Sequence, residues 1–153
     1  AYGAVYVFDL VDGVWLERQR LTDPGSATWP HGYFGSSLAV QGDTMAAGAS
    51  RSTGHVALFV RTGRDWVYAD QLTLDESALC MMPYADCYGA SFGEAVAFDG
   101  PHLIVGAPET EYEVRDAGTV HVFTRTASGA WSAPDDVARG PRRSMHRFGS
   151  SVS

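Results

Sequence analysis

The feature that most constrains this chain is an internal repeat. Phe34–Ser50 (FGSSLAVQGDTMAAGAS) aligns without a gap with Phe92–Pro108 (FGEAVAFDGPHLIVGAP), 58 residues later, and Phe148–Ser153 (FGSSVS) opens the pattern again 56 residues after Phe92. A period of this size means stacked copies of one supersecondary unit, because a single copy cannot bury its apolar face alone. Each full copy reads as an alternating apolar run, a tight turn at Gln41-Gly42-Asp43 or Asp99-Gly100, and a second apolar run. That is the pattern of a β-hairpin.

Two further columns share the period. One is headed by glycine: Gly3–Phe8 (GAVYVF), Gly54–Phe59 (GHVALF) and Gly118–Phe123 (GTVHVF). Val5, Val56 and Val120 share one face with Val7, Leu58 and Val122, while the three phenylalanines close the other. Two apolar faces suit a strand held between neighbouring sheets. The other column is headed by tryptophan: Trp15–Leu21, Trp66–Leu72 and Trp131–Val137. Turns at Asp12-Gly13, Thr62-Gly63 and Ser128-Gly129 connect the two. Pro134 would break an inner ladder, so the last of these strands is expected at a sheet edge.

Each period is therefore four strands, A to D, and four-stranded units of about 50 residues are the signature of propeller blades. The expected fold class is all-β, a β-propeller of four-stranded antiparallel blades. Residues 1–21 supply the last two strands of one blade, 34–74 and 92–137 a blade each, and 148–153 the first strand of the next. That makes two and a half to three blades, whereas closed propellers hold about four to eight, so the chain is expected to be part of a larger propeller. A head-to-tail ring of copies would leave one blade without its strand B. The long connections Thr22–Tyr33 and Asp75–Ser91 fit a return from rim to axis better than a solenoid.

A Phe-Gly opening, a strand, a turn, and a strand closing on Gly-Ala-Pro resembles the FG-GAP repeat of integrin-like β-propellers. The resemblance is carried by Phe92-Gly93 with Gly106-Ala107-Pro108, by Phe34-Gly35 with Gly48-Ala49-Ser50, and by the opening Phe148-Gly149. Glycine lets the backbone approach a neighbouring sheet while phenylalanine fills the wedge. Many members of that family hold calcium in an Asp-rich loop between strands A and B. Here those turns carry one carboxylate each, against the six to eight oxygens calcium takes. The sequence resembles the calcium-free, bacterial form of the repeat, which implies no metal or other cofactor.

The net charge of -7 argues against a nucleic-acid surface, which needs clustered Lys and Arg to displace counterions. The one basic cluster, Arg139 to Arg147, carries Gly and Pro and reads as a loop. No apolar run approaches the length of a transmembrane segment. Cys80 and Cys87 lie close together in CMMPYADC. They are expected to pair as a disulfide closing a loop of about 8 residues, stabilising by roughly 2.5 kcal/mol. Two free buried thiols, or a soft-metal site with Met81 and Met82, are the alternatives. With an exported repeat protein in view, the expected location is extracellular, periplasmic or at the cell surface.

No catalytic constellation stands out. There is no G-x-S-x-G nucleophile elbow and no metal spacing among His31, His55, His102, His121 and His146. His55 and His121 fall at different columns of strand C and are expected on opposite faces, as hydrogen-bonded core histidines. The D–A and B–C connections emerge at one end, and that end gathers the binding candidates. They are Trp29, His31 and Tyr33 from one loop, Tyr84 and Tyr88 from the next, and Glu111, Tyr112, Glu113 and Arg115 from the B–C loop. Aromatics beside carboxylates suit a protein partner or stacked sugar rings. The expected function is a non-catalytic scaffold for protein–protein contact or adhesion, within a larger assembly. A glycan-binding propeller is the alternative, and a hydrolase with its site at the propeller axis is a third.

Overall fold

The computed structural model describes residues 3–25, 32–51, 53–74, 90–111, 117–134, 136–141 and 146–153. As the sequence predicts, the chain is all-β. Among the described residues ten strands form three antiparallel sheets, and in each the strands follow one another in sequence order. Sheet 1 is the hairpin β1 (Ala4–Val11) and β2 (Val14–Thr22). Sheet 2 runs β3 (Phe34–Gln41), β4 (Thr44–Ala49), β5 (His55–Thr62), β6 (Asp65–Leu72). Sheet 3 runs β7 (Ala95–Asp99), β8 (His102–Ala107), β9 (Thr119–Thr124), β10 (Asp136–Arg139). The described strands form an open stack of three sheets rather than a closed ring. Among the described residues no helix is long and apolar enough to cross a membrane.

Sheet 3 departs from the expected pattern at its outer edge. Trp131 makes only an isolated bridge to Arg125, and continuous pairing with β9 begins at Asp136, beyond Pro134. Proline has no N–H to give to the ladder, so the strand restarts after it. It is indeed the edge strand.

The hairpin turns also sit where backbone chemistry puts them. Asp12 and Gly13 both have positive φ, 49° and 81°, the pattern of a type I′ turn. Of the A–B turns, the first has its corner at Gly42-Asp43, within the expected Gln41-Gly42-Asp43, and the second has it one residue later than the expected Asp99-Gly100. Gly42-Asp43 and Gly100-Pro101 close the pairs Gln41↔Thr44 and Asp99↔His102. Glycine takes the positive φ at the first central position, 57° and 56°, as a type II′ turn requires.

The core lies between the sheets, in two layers. One layer joins Val5 and Leu21 of sheet 1 to Met45, Ala47, Ala49, Ala57 and Phe59 of sheet 2. The other joins Ala46, Val56, Leu58 and Leu72 of sheet 2 to Leu103, Val105, Ala107 and Phe123 of sheet 3. Strand β5 is buried on both faces, from His55 through Phe59, as its two apolar faces predict. His55 and His121, expected on opposite faces, point to the same one. Their columns differ by two residues, and side chains two apart on a strand share a face. Thr119, at the column of His55, is hydrogen-bonded to His121 across that face, 2.9 Å from Nε2.

The Phe-Gly openings make the junctions between sheets. Tyr33, Ser91 and Arg147 each precede a phenylalanine, and each has left-handed φ, 53°, 51° and 48°. Their carbonyls accept from the N–H groups of Ser36, Glu94 and Ser150 at 3.0, 3.1 and 3.2 Å. The same turn therefore occurs three times, including at Phe148, where the sequence shows only an opening. Each turn lies on the glycine-headed strand of the preceding sheet, β1, β5 or β9. Phe92 N–H donates to Thr53 O at 3.3 Å, and Phe148 N–H to Ala117 O at 3.2 Å. Gly93 (φ 88°) is pressed against that strand. A Cβ there would lie 2.7 Å from His55 O and 3.3 Å from Gly48 Cα. Gly149 repeats the contact with Thr119 O and with Gly106 Cα. Three glycines of the repeat thus meet at the Phe92 junction (Gly93, Gly48 and Gly54) and at the Phe148 junction (Gly149, Gly106 and Gly118), because two backbones approach closer than any side chain permits. Phe92 is completely buried there, edge-on to His121 and Phe123 at 5.9 and 6.0 Å between centroids.

Candidate functional site

The junction turns and the B–C connections emerge at one end of the stack, and there the repeat places equivalent residues side by side. The column before Phe-Gly holds Tyr33, Ser91 and Arg147. The column three residues past the Gly-Ala pair's glycine holds Arg51 and Glu109. Arg51 N–H donates to Gly32 O (3.3 Å), and Glu109 N–H to the equivalent Ala90 O (3.2 Å). These backbone bonds hold the two columns together, and the side chains then pair by what each repeat happens to carry.

In sheet 2 the pair is Tyr33 and Arg51. The guanidinium donates to the Tyr33 hydroxyl at 2.9 Å and sits 5.3 Å from the ring centroid. The ring remains about half exposed, so a cation and an aromatic face are presented together. In sheet 3 Ser91 Oγ donates to Glu109 Oε2 at 2.7 Å. Arg147, from the third turn, reaches back to Glu109 Oε1 at 3.1 Å and Glu94 Oε2 at 3.2 Å. One guanidinium between two carboxylates ties the third turn to sheet 3. Because these groups are partly exposed, the contribution is at most about 1 kcal/mol per pair.

Beside Arg51 is a cleft of about 210 Å³, lined by Arg51, Thr53, His55, Gln71, Thr73 and Leu74 with Gly32 and Gly54. One of its lining residues, His55, belongs to a buried pair. His55 Nε2–H donates to Asp23 Oδ1 at 2.9 Å, and the same oxygen accepts from Gly25 N–H at 2.8 Å. Both side chains are over nine-tenths buried. The Asp23 carboxylate thus fixes the imidazole in one orientation.

The equivalent position in sheet 3 carries a different network. Thr110 Oγ1 donates to Ala107 O at 2.9 Å, Thr119 Oγ1 donates to Thr110 Oγ1 at 3.0 Å, and His121 Nε2–H donates to Thr119 Oγ1. With Nε2 protonated, Nδ1 is the bare nitrogen, buried and without a hydrogen-bond partner among the described residues. A second proton there would be an uncompensated buried charge. Burial, and then the positive charge of Arg139, lower the pKa of His121 from 6.5 to about 4.

Of the residues expected to bind, two are described. Tyr33 is at the loop end, held by Arg51. Glu111 follows Thr110 in the B–C connection of sheet 3 and is half-buried. They belong to the loops of different sheets. Trp29, His31, Tyr84, Tyr88, Tyr112, Glu113 and Arg115 lie outside the described residues, as do Cys80 and Cys87 and the disulfide expected between them. Sequence reasoning passed over Arg51, Asp23 and Gln71 and read Arg147 only as the end of a basic loop; His55, expected as a hydrogen-bonded core histidine, is one. Arg51 and Arg147 were legible as columns of the repeat, in step with Glu109 and Tyr33. Asp23 meets His55 from the preceding sheet, and no sequence spacing signals that pairing. Among the described residues no three of His, Cys, Asp and Glu are grouped so as to hold a metal ion.

No protein-family model matches the sequence, and no curated protein matches it either.

Proposed function

We propose that this chain is part of a β-propeller of FG-GAP type, exported and calcium-independent in these repeats, that serves as a non-catalytic scaffold for a protein partner. One observation carries the proposal. The left-handed residue, Phe-Gly turn and carbonyl contact recur at all three junctions, so successive loops project from one end in fixed register. The residues placed there are the ones interfaces favour, an exposed tyrosine and arginines. They are already held by one another: Arg51 on Tyr33, Arg147 on Glu94 and Glu109, His55 on Asp23. Side chains ordered before binding lose less entropy when a partner arrives.

The test uses the intact protein and a partner captured by it, purified and titrated separately. Arg51→Ala and Arg147→Ala are each expected to weaken binding about tenfold or more. Unchanged affinity in both variants would refute a loop-end interface.

A glycan-binding role is the second reading, and the cleft beside Arg51 favours it. Arg51, Thr53, Gln71 and Thr73 offer hydrogen-bonding groups around a space of about 210 Å³, and Arg51 also holds the exposed Tyr33 ring. A sugar panel separates the two. Binding that is lost in Tyr33→Ala and Gln71→Ala supports the lectin, and a blank panel removes it.

A further inference from the structure

We propose that the cleft beside Arg51 takes an acidic sugar, a single ring whose carboxylate is held by the Arg51 guanidinium. The proposal rests on the glycan-binding reading and adds to it the charge of the ligand.

The sign of the cleft follows from its residue types. Thr53, His55, Gln71, Thr73 and Leu74 line it with Arg51 and two glycines, so a guanidinium borders the space and no carboxylate does. In a chain of net charge -7 that is a local reversal of sign. Asp23, the acid that contacts His55, is not one of the lining residues. Its Oδ1 already accepts hydrogen bonds from His55 and from Gly25 N–H, which answers part of its charge before any ligand arrives.

The neighbouring repeat shows what this position looks like when it is neutralised from within. Glu109 stands in sheet 3 where Arg51 stands in sheet 2, and Arg147 closes on its carboxylate at 3.1 Å. Among the described residues Arg51 is in no ion pair. Its Nη1 donates to the neutral Tyr33 hydroxyl at 2.9 Å. A guanidinium carries five N–H donors in a planar fork, so most of the fork is left for a ligand. A carboxylate matches that fork with two parallel hydrogen bonds. The Tyr33 hydroxyl bond and the ring, 5.3 Å from the guanidinium, hold the fork in place, so less side-chain entropy is lost when it binds.

The rest of the lining suits a sugar. Thr53, Gln71 and Thr73 bring hydroxyl and amide groups that both donate and accept, as sugar hydroxyls require. Leu74 offers an apolar contact to the C–H face of a ring. The volume, about 210 Å³, is below the roughly 300–1,000 Å³ of pockets for drug-sized ligands, which limits the occupant to about one ring.

Titration of the intact protein with simple glycosides, followed by NMR, tests this. Methyl glucuronide and methyl galacturonide are the acidic probes, and methyl glucoside and methyl galactoside are their neutral counterparts. At least one uronide is expected to bind about tenfold or more tightly than its neutral counterpart. Arg51→Gln is expected to erase that preference, and Arg51→Lys, which keeps the charge without the fork, to retain only part of it. The Arg51 side chain is exposed, and a thermal melt confirms that both variants are folded. In the wild type, added salt is expected to weaken the uronide and leave the neutral sugar unmoved, a readout that needs no variant. Neutral sugars that bind as tightly as the uronides overturn the proposal and leave the lectin reading standing. A panel blank for acidic and neutral sugars alike overturns both. A uronide preference that survives Arg51→Gln, or that salt does not touch, overturns the role given to Arg51. N-acetylglycine binding as tightly as the better uronide overturns the sugar, and would mean a carboxylate subsite for a peptide end.

Discussion

Replacing Gly93 with alanine asks whether the inter-sheet junction needs glycine for its conformation or for its lack of a side chain. Gly93 has φ 88°, and an added Cβ would stand 2.7 Å from the His55 carbonyl oxygen and 3.1 Å from Val56 Cγ2. Gly100 supplies the control. Its φ is also positive, 56°, but nothing lies within 4 Å of the Cβ position. Left-handed backbone costs a non-glycine residue about 1–2 kcal/mol. The stiffer unfolded chain returns about 0.4–1 kcal/mol. Gly100→Ala should therefore destabilise by about 1 kcal/mol. Gly93→Ala carries that same cost plus overpacking against backbone that cannot rotate away, about 1–3 kcal/mol more. A total near 3 kcal/mol follows, so the two variants should differ by about 2 kcal/mol. Urea unfolding followed by tryptophan fluorescence measures both, with equal m-values required before midpoints are compared. Equal destabilisation of the two variants would refute the close approach and leave only the turn conformation.

Phe92→Ala should cost about 3–5 kcal/mol in the same assay, because the ring is fully buried between sheets 2 and 3. Phe148→Ala, at the same place in the repeat but 38% exposed, should cost about 1 kcal/mol, and a large loss there would show that the third turn is covered. His121 makes stability depend on pH. Its pKa falls from 6.5 unfolded to about 4 folded, so its stabilising contribution is complete above about pH 6.5 and is lost as pH falls through 4. The loss is up to about 3 kcal/mol. His121→Gln should flatten the difference between melts at pH 7 and pH 4.5, and an unchanged pH profile would count against the buried neutral imidazole. Calcium or a chelator should leave the melting temperature unmoved, since the A–B turns Gly42-Asp43 and Gly100-Pro101 leave a single carboxylate at the corner. A rise of several degrees with calcium would overturn that.

Much of this architecture was legible in the sequence because repeats carry their own alignment. The Phe-Gly hairpins together with the glycine-headed and tryptophan-headed columns place nine of the ten described strands, and β10 moved only because Pro134 interrupts its ladder. The site was less legible. Tyr33 could be named from its loop, but Arg51 and Arg147 gain meaning only as columns of a repeat, and the Asp23–His55 pair crosses between sheets.

The sequence by itself determined the strands, their order and their turns, since hairpin geometry depends on neighbours only a few residues apart. Tertiary structure alone decided which face meets which. Phe8, Phe59 and Phe123 are indistinguishable in sequence, yet two are buried and one is bare, because burial depends on whether another sheet lies opposite. The same holds for Gly93. Its place after Phe92 is plain in the chain, but the reason for it, the His55 carbonyl of another sheet pressed against the backbone, exists only once the sheets have stacked.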